Sequence, residues 1–77
     1  MNTRMINTVE ALLFGAGRPL RLSEIRSLLD SDGINAELSE IKQVINMLEE
    51  RHDESSLEVV EVASGFRLQI KEIYSPS

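Results

Sequence analysis

Residues 12–29, LLFGAGRPLRLSEIRSLL, decide the fold. A helical run reaches Phe14 and then meets Gly15, Gly17 and Pro19. Glycine takes up the left-handed backbone conformation that ends helices. Pro19 lacks an amide hydrogen and restricts Arg18, so a helix does not pass through it. A second helical pattern opens at Ser23, whose hydroxyl suits an N-cap, with Glu24 at the positive end of the helix dipole. Between the two patterns, residues 19–22 are too few for a helix and suit a short strand or an extended connector.

Upstream of the break, residues 3–16 read as an amphipathic helix. Met5, Ile6, Val9, Leu12, Leu13 and Ala16 recur at helical spacing, and Arg4, Asn7 and Glu10 fall on the other side. Phe14 lies off that apolar stripe. Downstream, Ile25, Leu28 and Leu29 form the buried stripe of a helix of about two turns. Asp30-Ser31-Asp32-Gly33 is a dense turn signal. A third helix starts near residues 36–39, with Asn35 and Ser39 as rival caps, and ends around residues 51–54. Leu38, Ile41, Val44, Ile45 and Leu48 line one face, Met47 sits off it, and Glu37, Glu40, Lys42, Glu49 and Glu50 supply most of the solvated surface.

The last third changes period. Residues 57–62 and 66–71 are rich in β-branched and apolar residues around Gly65, a hairpin signal. A two-residue Ser64-Gly65 loop would pair Glu61 with Leu68. A three-residue loop, Ala63-Ser64-Gly65, gives glycine the left-handed position after a type I turn. That loop pairs Val62 with Phe66, Glu61 with Arg67 and Val60 with Leu68, leaving one face apolar. It is the preferred register, because a one-residue slip moves every side chain to the other face. A hairpin alone is marginal, so residues 19–22 are expected to run beside it as a third strand. The sum is an α+β winged helix: a helix-turn-helix with a three-stranded antiparallel sheet. Residues 1–71 make one domain, and residues 72–77 a tail or linker.

Composition narrows the function. The chain has 77 residues, no cysteine and one histidine, so it supports one small core without disulfides, thiolate metal sites or most zinc arrangements. No cofactor is expected. No apolar run approaches a bilayer span and no signal peptide is visible, which points to a cytoplasmic setting. Eight basic residues against thirteen acidic ones give a net charge of −5. No catalytic constellation emerges. His52 reads as a solvent-facing residue at a helix C-terminus, and Gly15-Ala16-Gly17 lacks the remainder of a phosphate loop.

Helix-turn-helix folds often read DNA with their second helix. Here that helix and the wing are mainly acidic, and carboxylates repel phosphates. Arg18, Arg21 and Arg67 are the candidate phosphate contacts if the domain is instead a DNA-binding transcriptional regulator. A protein interface fits the charge better. Phe14 and Met47 are apolar and off their core stripes, and in the preferred register Leu57 and Val59 lie on the uncovered face of the hairpin. These four are the candidate interface.

Three stretches together, VEALLFGAGRPLRLSEIRSLL, IKQVINMLEERH and LEVVEVASGFRLQI, resemble the bacterial segregation and condensation protein B (ScpB) family. The specificity lies in the combination of Ala11-Leu12-Leu13-Phe14, Pro19-Leu20 and Val60-Glu61-Val62-Ala63 followed by Gly65-Phe66-Arg67-Leu68. The resemblance implies a non-enzymatic accessory subunit of the bacterial condensin-like complex, acting in chromosome condensation and segregation. It implies binding to the kleisin subunit ScpA and, through it, to the SMC ATPase, and so association with the nucleoid. Tandem winged-helix domains and homodimers formed through the first domain are implied as well. On that basis residues 72–77 lead towards a second domain.

Overall fold

In the computed structural model, which describes residues 3–76, three helices precede a hairpin. The elements are α1 (Thr3–Ala16), α2 (Leu22–Ser31), α3 (Leu38–Arg51), β1 (Leu57–Val62) and β2 (Gly65–Ile70). A single 3-10 turn, Glu72–Tyr74, follows in the segment read from the sequence as a tail.

The helix starts differ from the sequence reading, and for the same reason in both cases. The N-cap of α2 is Arg21, not Ser23, and that of α3 is Glu37, not Asn35 or Ser39. A glutamate three residues into each helix turns back to the cap. The Glu24 carboxylate accepts the Arg21 amide hydrogen at 3.1 Å, and the Glu40 carboxylate accepts that of Glu37 at 2.9 Å. This is the glutamate half of a capping box, and it also places a negative charge at the positive helix end. At the far end of α2, Asp30 and Ser31 complete the helix rather than the turn. Gly33, at φ +78°, donates to the Asp30 carbonyl, and Ile34 donates to that of Leu29 at 2.8 Å. This Schellman arrangement brings Ile34 over Leu29, and both are buried.

The core lies where the three helices meet the sheet. Val9 and Leu13 from α1, Ile25 and Leu29 from α2, and Ile41, Val44, Ile45 and Leu48 from α3 are sealed, with Leu20 from the connector. Val59, Phe66 and Leu68 close it from the sheet. Leu12 is only partly buried, and two other leucines expected inside are exposed. Leu28 is 40 % exposed and Leu38 41 %. The stripe of α2 is one residue narrower than read, and Leu38 is the first residue of α3.

The hairpin register differs by one residue from the preferred reading. Val62 pairs with Gly65, Glu61 with Phe66, Val60 with Arg67 and Val59 with Leu68. Only Ala63 and Ser64 form the loop. Alternation along the strands puts Leu57, Val59, Phe66 and Leu68 on the core side, while Val60, Val62 and Arg67 face outward. Both alternate sets of β1 carry valine, so its pattern alone does not select a face. The other strand edge does. Leu20 pairs with Phe66 through two backbone hydrogen bonds of 2.8 Å, one in each direction. The expected third strand is thus a single bridge at Leu20, beside a two-stranded sheet. That bridge explains Gly65. A Cβ there would lie 2.4 Å from the Leu20 carbonyl carbon and oxygen, so only glycine lets the two backbones meet.

Candidate protein interface

One side of α1 faces the core through Met5, Ile6, Val9 and Leu13. Its flank carries Asn7, Glu10, Ala11 and Phe14, which return at helical spacing. These residues, with His52, Leu57 and Leu68, line a cavity of about 210 Å³ between α1 and the hairpin. Phe14 stands at this site with 70 % of its surface exposed. Leu57 and Leu68 are half-buried and add apolar surface from β1 and β2.

A chain of polar contacts holds α1 against α3 and the start of β1. Arg51 donates to the Asn7 side-chain oxygen at 2.8 Å and to the Glu10 carboxylate at 3.3 Å. Nε2 of His52 lies 2.6 Å from the same Glu10 oxygen, and Nδ1 lies 2.8 Å from the Ser55 hydroxyl. The Ser55 oxygen in turn accepts the Leu57 amide hydrogen at 3.1 Å. One proton arrangement satisfies every link: Leu57 to Ser55, Ser55 to Nδ1, and Nε2 to Glu10. Burial pushes the Glu10 carboxyl pKa up, but the His52 hydrogen bond and the Arg51 charge outweigh it and hold the value below the ordinary one.

Serine, histidine and glutamate in line invite comparison with a hydrolytic triad. The surroundings of Ser55 argue for a tie instead. Its oxygen is already an acceptor for Leu57, and the carbonyls of His52 and Leu57 lie 3.4 Å away, where they oppose developing negative charge. The sequence puts Glu10 on the side of α1 opposite the apolar stripe and reads His52 as facing solvent. The structure instead joins them across 42 residues and leaves the His52 side chain 13 % exposed.

The four apolar candidates do not form one group. Phe14 and Leu57 meet at the cavity. Met47, 38 % exposed on α3, is not part of its lining. Val59, expected on the uncovered face, packs against the core, because the one-residue change of register turns it inward. The exposed β1 valine is Val62, at 42 %. The arginine candidates are also apart in role. Arg18 is bound to Glu24 at 2.8 Å. Arg21 caps α2, and Arg67 is on the outward face of the hairpin. The Arg18 and Arg21 hydrogen bonds hold the Glu24 pKa below its ordinary value. Along α3, Glu40, Glu49 and Glu50 are exposed, so no cationic surface forms there.

Comparison with known proteins gives a consistent picture. The family model described as the segregation and condensation complex subunit ScpB matches residues 7–77. A segregation and condensation protein B homolog from Coxiella burnetii is 37 % identical over 68 residues, covering 88 % of this chain and 32 % of the relative. The chain therefore spans about a third of that relative's length. A crystal structure of a dimer of the ScpB N-terminal domain complexed with an ScpA peptide is similar, with a TM-score of 0.80 and 32 % identity. The match covers 96 % of this chain and 85 % of that one. A conserved hypothetical protein from Chlorobium tepidum shares the fold at a TM-score of 0.71 and 18 % identity, over 92 % of this chain and 43 % of the other. Among the described residues no helix is long and apolar enough to cross a membrane.

Proposed function

The chain belongs to the segregation and condensation complex subunit ScpB family, and from that premise we propose that it acts as a non-enzymatic accessory subunit of a bacterial SMC–kleisin complex. In this reading it works in the cytoplasm, in chromosome condensation and segregation. Its partners are a second copy of itself, a kleisin of the ScpA type and, through the kleisin, the SMC ATPase. Residues 1–71 act as one winged-helix binding domain, and residues 72–77 lead on towards a second.

The observation that carries the proposal is Phe14. An aromatic ring 70 % exposed, at a cavity floored by leucines, is an anchor for another polypeptide. The similar structure that is a dimer with a bound peptide supports the same assignment. The acidic surface supports it by disfavouring the alternative, direct binding to DNA. We assign the Phe14 face to the second copy.

Sedimentation equilibrium tests it. The chain is expected to self-associate and Phe14→Ala to be monomeric, with unfolding stability within about 0.5 kcal/mol of the original when both are diluted to monomers, because the side chain is exposed there. A chain that stays monomeric at high concentration, or a Phe14→Ala variant that dimerises as well as the original, would refute the assignment. Capture of a recombinant kleisin of the ScpA type tests the complex separately.

A further inference from the structure

Leu20 bridges the β2 edge of the hairpin at Phe66, whereas the β1 edge has no neighbouring strand, and the backbone directions along it follow from two contacts. Leu20 and Phe66 exchange hydrogen bonds, so the N–H and C=O of Phe66 point away from β1. In an antiparallel pair, directly opposed residues turn their backbone groups the same way, both towards each other or both apart. Glu61, opposite Phe66, therefore points its N–H and C=O away from β2, and so does Val59, opposite Leu68. The Lys71-to-Ser56 hydrogen bond at the other end of the ladder agrees with this alternation. Leu57 belongs to the same outward set, but Ser55 takes its amide hydrogen. No described residue bonds the outward groups of Val59 or Glu61.

Such an edge is complementary to an extended polypeptide, which offers N–H and C=O groups at the matching spacing. β1 contains no proline and no lysine, and its pairing with β2 runs without a bulge, so its two glutamates are the guard it carries. Charge then selects the occupant. The strand holds Glu58 and Glu61 and no basic residue. Two copies of β1 side by side would bring four carboxylates onto adjacent strands, which opposes self-pairing. Glu58 accepts a hydrogen bond from Gln69 at 3.1 Å on the outward face, and Glu61 is exposed on the other face near the loop. Arg67 lies on β2, one strand in from the open edge. A cation on each face of an added strand, opposite Glu58 and Glu61, with β-branched residues between them, meets every one of these features.

We propose that the open edge of β1 binds a basic, extended peptide as an added strand, with the pattern Lys-Val-Val-Lys matching Glu58-Val59-Val60-Glu61. This surface adjoins the Phe14 face at Leu57, the first residue of β1, but does not depend on it.

The test is a titration of the isotopically labelled 77-residue chain with a capped Thr-Lys-Val-Val-Lys-Thr peptide and its Thr-Glu-Val-Val-Glu-Thr counterpart. The amides of Val59 and Glu61 are expected to shift and to gain protection from hydrogen exchange. The lysine peptide should bind at least about tenfold tighter than the glutamate peptide at low salt, with the difference shrinking as salt screens it. Glu61→Pro removes an outward N–H that the ladder to β2 does not use, and should abolish binding. The double variant Glu58→Lys, Glu61→Lys keeps the backbone edge and should reverse the peptide preference, which tests the proposal even if the proline variant fails to fold. Equal binding of both peptides, an unchanged preference in the double variant, or shifts centred on Phe14 would overturn it. Pairing of β1 with a second β1 in the peptide-free chain would overturn it as well.

Discussion

Replacing Gly65 with alanine isolates the contact that joins the helical part of the chain to the hairpin. The added Cβ would fall 2.4 Å from the Leu20 carbonyl carbon and oxygen and 2.7 Å from the Arg21 nitrogen. All three are backbone atoms, so no side chain can swing aside. Relief requires the Leu20–Phe66 bridge to open, and its two hydrogen bonds contribute about 1–3 kcal/mol together. Alanine at φ +134° adds backbone strain of about 1–3 kcal/mol. The expected loss is about 2–6 kcal/mol, against a total stability on the order of 4–12 kcal/mol for a chain of this length. Gly33→Ala is the control. Its φ is +78° but no atom lies within 4 Å of the new Cβ, so only the conformational cost of about 1–2 kcal/mol applies. Urea unfolding followed by far-UV circular dichroism compares them directly. A midpoint for Gly65→Ala no lower than that for Gly33→Ala would show that the close approach at Leu20 does not govern the fold.

Three further outcomes follow from the same geometry. Glu10 has a lowered pKa in the folded chain, so its ionised form stabilises the fold above the unfolded-state pKa, and that contribution is lost as pH falls through the folded-state value. Glu10→Gln should therefore flatten the decline in stability below about pH 4.3 in acid titrations followed by circular dichroism. Leu48→Ala, at a sealed position, is expected to cost about 2–5 kcal/mol, while Leu28→Ala, 40 % exposed, costs less than half as much by urea unfolding. In a salt-dependent DNA titration, the chain should show almost no binding at low ionic strength, because Arg18 is engaged by Glu24 and α3 exposes carboxylates.

Local signals carried most of the fold. The apolar spacing of residues 3–16 matches α1 end to end, since helical periodicity and the glycine and proline stop are both short-range features. Each expected helix cap lies two residues from the observed one, because side chains that suit caps compete with glutamates that reach back from the first turn. Hairpin register was one residue off for a more basic reason: Leu57, Val59 and Val60, Val62 are both apolar sets, and the Leu20 bridge that chooses between them comes from 46 residues away. The same limit applies to the site. Phe14 stood out as an apolar residue off its stripe, whereas the link from Glu10 to His52 has no local signature at all.

The polar tie and the exposed ring belong to one arrangement. A phenylalanine projecting from a loosely docked helix would have to be ordered at the moment of contact, and ordering costs affinity. Here α1 is fixed twice near Phe14. Leu13 is sealed in the core beside it, and one turn earlier Glu10 is held by both Arg51 and His52. His52 passes that restraint through Ser55 to Leu57, which lines the same cavity. Ring and floor are thus held by one chain of hydrogen bonds. Glu10→Gln removes the charge that strengthens this chain, leaves the apolar atoms of the face in place and loosens their relative positions. It should therefore weaken self-association at neutral pH less than Phe14→Ala does, as measured by sedimentation equilibrium. If Glu10→Gln leaves the association constant unchanged, the tie supports the fold alone and Phe14 acts without it.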